Sequence, residues 1–145
     1  MPLDGEYADE KTGWVAKQLA TIDETGTTES VDIMGMPVVV YTMRGAKSGK
    51  LRRVPLMRVE KDGVYAIVAS YGGAEKHPAW YHNVTANPQI EILDGTQRHD
   101  AVAREITGAE REEWWARAVE AYPPYAEYQT KTDRLIPVLL AEPTS

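Results

Sequence analysis

The chain has 145 residues and a formal net charge of −6, with 43% hydrophobic and 26% charged residues. These values describe one globular domain with a sizeable core and exclude a disordered chain. The acidic balance argues against general nucleic-acid binding. The absence of cysteine excludes disulfides, thiolate metal sites and thiol nucleophiles.

No apolar run approaches the ~18 residues of a membrane span, and no basic-then-apolar leader opens the chain. The expectation is therefore a cytoplasmic protein. Phenylalanine is absent beside eight tyrosines and four tryptophans, so most aromatic rings carry a polar handle, as suits the wall of a cavity.

Residues 1–30 form a first segment. Trp14, Val15, Gln18, Leu19 and Ile22 follow helical spacing and predict a helix from about Asp9 to Asp23. Such a helix either packs across a barrel end or acts as a lid, a surface element leaning on an apolar substrate or on the inner face of the cell membrane. Glu24–Glu29 is a polar breaker. From residue 31 to 145 the pattern is that of a second, single unit. Val31 and Ile33 alternate, and Val38 to Met43 reads as a buried β-branched strand. Leu51 to Glu60 reads as its partner, with Pro55 marking an edge or a bulge. Lys61-Asp62-Gly63 is a turn, and Val64 to Ser70 is a central strand.

After the loop Tyr71–Pro78, a short helix is expected from Pro78 to Val84, ended by Asn87-Pro88. Gln89–Leu93 and Gln97–Ile106 form a hairpin about Asp94-Gly95. Thr107 and Glu110 have the spacing of a capping box. The helix that follows runs to about Tyr122, with Trp115, Ala118, Val119 and Tyr122 on one stripe. Pro123-Pro124 stops it, Tyr125 to about Asp133 adds a turn or two, and Leu135–Leu140 is a last strand. Six or seven mostly antiparallel strands with about three helices predict a mainly β α+β fold, a small barrel with helices packed on it.

Between the first two strands lies Arg44-Gly45-Ala46-Lys47-Ser48-Gly49-Lys50-Leu51-Arg52-Arg53. From Arg44 to Arg58 there are six basic residues and no acid, which leaves the rest of the chain at −12. Such an island holds an anion, unless it is simply a solvated turn. It is not a Walker loop: three residues separate Gly45 from Gly49, and Leu51 stands where a metal-binding hydroxyl is needed. What it offers is backbone N–H groups, the Ser48 hydroxyl, Lys47 and the two-pronged Arg52. His77, His82 and His99 lack metal-ligand spacing, and no metal is expected. Tyr122, Tyr125 and Tyr128, at spacing three, present their rings to one side; they are either a core stripe or an aromatic wall for a flat ligand.

Thr42-x-x-Gly45-x-Lys47-Ser48-Gly49-x-x-Arg52-x-Val54-Pro55-Leu56, then Val68-Ala69-Ser70-x-Gly72-Gly73, His77-Pro78-Ala79-Trp80-Tyr81-x-Asn83 and Asn87-Pro88, resemble the coenzyme F420 (deazaflavin)-dependent nitroreductase family. The tail Tyr122-Pro123-Pro124-Tyr125-x-x-Tyr128-Gln129-x-x-Thr132-x-Arg134-x-Ile136-Pro137-Val138 is similar to its nitroreductase branch. The resemblance covers about residues 36–140. It implies a split β-barrel oxidoreductase of the FMN-binding type that transfers a hydride from reduced coenzyme F420 to a flat, electron-poor acceptor. A quinone such as menaquinone is the expected acceptor, with enones and nitroaromatics as further substrates. An FMN-dependent reductase on the same fold and a non-catalytic F420 carrier are the alternatives. Monomer and homodimer both stay open.

The resemblance also implies site residues. Ala46, Lys47, Ser48, Gly49, Arg52 and Arg53 would hold the cofactor's phosphate end. Val54, Pro55, Leu56, Met57, Val68, Ala69, Ser70 and Tyr71 would line the deazaflavin. Ala79, Trp80, Tyr81, His82 and Asn83 would close the pocket, and Tyr125 would touch the cofactor. Ser70, Tyr122, Tyr125 and Tyr128 would serve catalysis at the acceptor. Ala46 is a departure, because the family often has arginine there; here Arg44 precedes the glycine.

Overall fold

The computed structural model describes residues 13–33, 35–70, 73 and 77–144. Among them are four helices, α1 (Gly13–Thr25), α2 (Ala79–Ala86), α3 (Gly108–Ala121) and α4 (Pro124–Thr130). There are eight strands, β1 (Asp32–Ile33), β2 (Met36–Arg44), β3 (Leu51–Met57), β4 (Glu60–Lys61), β5 (Val64–Val68), β6 (Gln89–Asp94), β7 (Gln97–Ile106) and β8 (Val138–Pro143). No helix among the described residues is long and apolar enough to cross a membrane.

All the pairings are antiparallel, in the order β1-β2-β6-β7-β8-β5-β4, with β3 on β2. The sheet curls on itself. β4 continues the chain from β3 through Arg58 and Val59, and the Val59 carbonyl accepts from Ala66 of β5 at 2.8 Å. The result is a split barrel joined at that end. Alternation decides which side chains fill it: Val39, Tyr41, Met43, Ile67, Ile90, Ile92, Ala101 and Leu139 form one buried cluster. The outer face of β5 and β8 lies under α3 and α4, where Ala66, Val68, Val138 and Leu140 meet Trp114, Ala118, Tyr122 and Tyr125. The outer face of β2 and β6 lies under α1, where Val40 and Leu93 meet Leu19 and Ile22. β2 is thus buried on both faces, the reason its sequence is a continuous apolar run rather than an alternating one.

Several details differ from the sequence reading. The strand count is eight rather than six or seven because two-residue pieces, β1 and β4, pair at the rim. The expected strand Leu51–Glu60 divides at Arg58 for this reason. Pro55 is accommodated because β3 pairs with β2 alone and so is an edge strand, where a missing donor costs no ladder bond. Thr107 precedes α3 but its side chain makes no capping bond. Glu110 instead takes two hydrogen bonds from Arg104, at 2.9 and 2.8 Å. A charge-assisted bidentate contact outcompetes a neutral cap. The inward stripe of α3 carries Arg111, Trp114 and Ala118, while Trp115 and Val119 are half-buried. The last strand starts at Val138 because Ile136 N–H is committed to Gln129 Oε1 at 3.0 Å and the Pro137 carbonyl to Ala69 N–H at 3.0 Å. For the N-terminal helix, residues 9–12 and the side chains of Trp14 and Val15 lie outside what is described; Tyr71, Gly72 and Glu75 lie outside it as well.

Candidate functional site

One cleft of about 930 Å³ runs from the basic loop to the three tyrosines. Its first end is built on the β2–β3 connection. Gly45 N–H donates to the Lys50 carbonyl at 2.8 Å, and Gly49 N–H to the Gly45 carbonyl at 3.0 Å. Gly49 adopts φ +73, a conformation glycine reaches without strain. A side chain at Gly45 would put its Cβ 2.9 Å from Ser48 Oγ and 3.2 Å from the Lys50 carbonyl, so the tight loop leaves it little room. Asn83 of α2 fixes the loop from across the cleft, its Oδ1 accepting from Ala46 N–H at 3.0 Å. Ser48 Oγ accepts from Lys50 N–H at 3.1 Å, which leaves the hydroxyl proton for a ligand.

The basic residues do not play one part. Lys47, Arg52 and Arg53 line the cleft, whereas Arg44 is not among its lining residues and donates to the Gly49 carbonyl at 2.8 Å. Arg53 grips Asp23 of α1 through two bonds of 2.6 and 3.0 Å. Those bonds hold the Asp23 carboxyl below its usual range. The departure at Ala46 is therefore answered by a backbone contact to Asn83, while Arg44 serves the loop's own geometry.

The middle of the cleft is apolar: Val54, Pro55, Leu56 and Met57 from β3 and Val68 from β5, faced by Pro78, Ala79 and Trp80 at the start of α2. At the far end Tyr122, Tyr125 and Tyr128 pack at steep angles to one another, with ring centroids 5.0 to 6.3 Å apart. Pro123-Pro124 breaks the helix between α3 and α4 and turns all three rings to one side. Tyr122 and Tyr128 share a hydroxyl–hydroxyl bond of 3.1 Å. Burial, then that bond, pushes Tyr122 up to about 12, and burial raises Tyr125 further. Each of these two phenols is a proton donor at neutral pH. Ser70, buried at the end of β5, also lines the cleft.

Of the residues expected from the sequence, the cleft brings together Ala46, Lys47, Ser48, Arg52, Arg53, Val54, Pro55, Leu56, Met57, Val68, Ser70, Ala79, Trp80, His82, Asn83, Tyr122, Tyr125 and Tyr128. It does not include Gly49, Ala69 or Tyr81. Gly49 serves the turn, and Ala69 is fully buried. Tyr81 packs on the barrel cluster and donates its hydroxyl proton to Glu105 of β7. Tyr71 lies outside the described residues. The lining also contains Ile33, Gly45 and Pro78, which the sequence reading does not single out as site residues. Gly45 and Pro78 stand inside the motifs; nothing in the alternation of Val31 and Ile33 distinguishes a cleft residue from a core one.

A family model described as F420H(2)-dependent quinone reductase matches residues 14–143. An F420H(2)-dependent quinone reductase of Mycobacterium tuberculosis (strain ATCC 25618 / H37Rv) is 33% identical over 107 residues, covering 72% of each chain. A solved structure described as an F420-H2 dependent reductase is 62% identical with a TM-score of 0.71, covering 77% of this chain and 99% of the other. Another, described as a domain-swapped dimer, is 60% identical with a TM-score of 0.73, covering 89% and 97%.

Proposed function

The chain belongs to the F420H(2)-dependent quinone reductase family, and on that premise we propose how its cleft divides the work between cofactor and acceptor. The chain is an oxidoreductase that depends on F420H2. The observation that carries the division is one continuous cleft with cations at one end, apolar walls along its middle and phenols at the other. That succession of surfaces fits a long ligand with an anionic tail and a flat ring.

Lys47, Arg52, the Ser48 hydroxyl and neighbouring loop N–H groups bind the tail's phosphate. Val54, Leu56 and Met57 on one side, with Ala79 and Trp80 on the other, hold the ring flat and exclude water from it. When bound, the reduced deazaflavin supplies the hydride. Ser70, Tyr122, Tyr125 and Tyr128 take the other end of the cleft, where they orient a quinone-like acceptor against that ring. Their hydroxyl protons stabilise the negative charge that develops on the acceptor oxygen. Tyr128 is partly exposed, so the Tyr122–Tyr128 pair carries a proton inward from solvent. Enones and nitroaromatics are acceptors of the same flat, electron-poor kind. Through Asp23 and Arg53, α1 is fastened beside the cofactor end of the cleft.

The test is a spectroscopic titration with the deazaflavin and with FMN, followed by a panel of quinones. The expected result is deazaflavin binding and its oxidation by a quinone. Tight FMN binding without deazaflavin binding overturns the reading. Deazaflavin binding with no oxidation by any quinone makes the protein a carrier instead.

A further inference from the structure

We propose that Arg134 is a positioning residue for this reaction, a guanidinium that sets the Ser70 hydroxyl and the entry to α2 at the point where three walls of the cleft meet. The inference rests on the division of the cleft given above. The β5–β8 ladder ends at the pair Val68 and Val138, and beyond it the carbonyls of Ala69 and Ser70 have no strand partner across the sheet. Buried carbonyls need donors.

Arg134 supplies them. Its Nη1 donates to the Ala69 carbonyl at 3.0 Å and its Nη2 to the Ser70 carbonyl at 2.7 Å. The Ser70 carbonyl uses its second lone pair on Gly73 N–H at 2.9 Å, which ties the following loop to the same point. The Nη1 group also reaches His77 Nδ1 at 3.3 Å. A guanidinium only donates, so His77 accepts at Nδ1 and carries its proton on Nε2. The other side of His77 is taken by the Tyr81 ring, 4.4 Å away between centroids, and Tyr81 is held in turn by Glu105. His77 immediately precedes Pro78, Ala79 and Trp80 of the cleft wall.

Arg134 is itself held by α4. Gln129 donates to the Arg134 carbonyl at 2.8 Å and accepts from Ile136 N–H at 3.0 Å, and it follows Tyr128 in the chain. One side chain thus registers the end of β5, the start of α2 and the tyrosine helix against one another. Ser70 Oγ has no partner among the described residues, so its direction depends on where its backbone is held. The fork of Arg134 holds two successive carbonyls; lysine presents a point charge and cannot span both with fixed geometry.

The experiment compares Arg134→Lys and Arg134→Gln, each alone and combined with Ser70→Ala. Cofactor affinity is read by deazaflavin titration and acceptor kinetics with the loaded enzyme. Arg134→Lys is expected to lower kcat/KM for the quinone about 10-fold and Arg134→Gln about 100-fold, the scale of a small misplacement. Deazaflavin affinity should fall less than the quinone kcat/KM in each variant, the loss coming through the α2 entry ahead of Ala79 and Trp80. In the Ser70→Ala background Arg134→Gln should cost less than about a further threefold, because coupled residues are not additive. Losses that multiply in the double variant, or a fully active Arg134→Lys, overturn the proposal. Should Arg134→Gln not fold, the same cycle is read on Arg134→Lys. A second readout needs neither cofactor nor turnover. The ¹⁵N spectrum of the protein should show His77 protonated at Nε2, a preference weakened in Arg134→Lys. A proton on Nδ1 overturns the Arg134 contact, whatever the cofactor titration gives.

Discussion

Lys47, Arg52 and Arg53 line the cleft, Arg53 being bound to Asp23 as well, whereas Arg44 stands off it and donates to the Gly49 carbonyl. Removing Lys47 and Arg52 together is expected to weaken deazaflavin binding by about 1.5–3 kcal/mol for each charged hydrogen bond removed, measured by fluorescence titration. Raised salt should weaken the wild-type binding in the same direction, since the loop is exposed and its charges are screened. Unchanged affinity in both tests would remove the loop from the site. At the other end, Tyr128→Phe keeps the ring and deletes one partner of the 3.1 Å hydroxyl pair. It should lower kcat with quinones about 10- to 100-fold, at or below the range of a general-acid contribution, while leaving deazaflavin affinity nearly intact. With Tyr122 at about 12 and Tyr125 higher still, neither phenol titrates near neutrality. The pH–rate profile should therefore show no ionisation of these two tyrosines below about pH 10. Equal loss of binding and turnover in Tyr128→Phe would mean that the ring, not the hydroxyl, matters.

Among the described residues, the segment after β5 approaches helix α4 closely at Gly73. Gly73 has φ +83, and a Cβ there would lie 2.7 Å from the Tyr128 carbonyl and 3.1 Å from Lys131 Cβ. Gly73→Ala should therefore cost about 1–3 kcal/mol in urea unfolding and push Tyr128 off its place, raising KM for the quinone. A variant with native stability and KM would show that the two segments do not register each other. How far such elements can be read beforehand depends on whether their determinants are local. β2 and the β6–β7 hairpin are legible because apolar runs and a glycine turn report on their own neighbourhood. The capping box at Thr107 does not form because Arg104 on β7 takes Glu110 and is held in turn by Glu142 on β8, a pairing between strands that no local spacing reveals. The start of β8 shifts to Val138 because Gln129, on another element, takes the Ile136 N–H. Most cleft residues are legible only through the combined motifs, since composition and periodicity supply no reason for Leu56 to face a ligand while Leu51 is fully buried.

At the scale of the molecule, three apolar clusters hold the helices to the barrel, and the one inside it carries the middle of the cleft, where Val54, Leu56 and Trp80 pack against it. Ile92, fully buried among Tyr41, Ile67 and Leu139, is the place to test that support. Ile92→Ala should lower unfolding stability by about 2–5 kcal/mol, measured in urea, with deazaflavin binding retained under native conditions. Affinity falling in step with stability would mean that the cleft has no rigidity of its own. The sheet order also sets a timetable. β8 lies between β7 and β5, so β5 waits for a partner some 70 residues further along the chain, from Val68 to Val138. At the usual pace of about 5–20 residues per second on the ribosome, that wait lasts several seconds. During it the Val64–Val68 edge facing β8 is uncovered, as is the apolar surface later roofed by α3 and α4. The nascent chain is then open to chaperones and to strand exchange with a neighbouring copy, and it is β8 that ends the exposure.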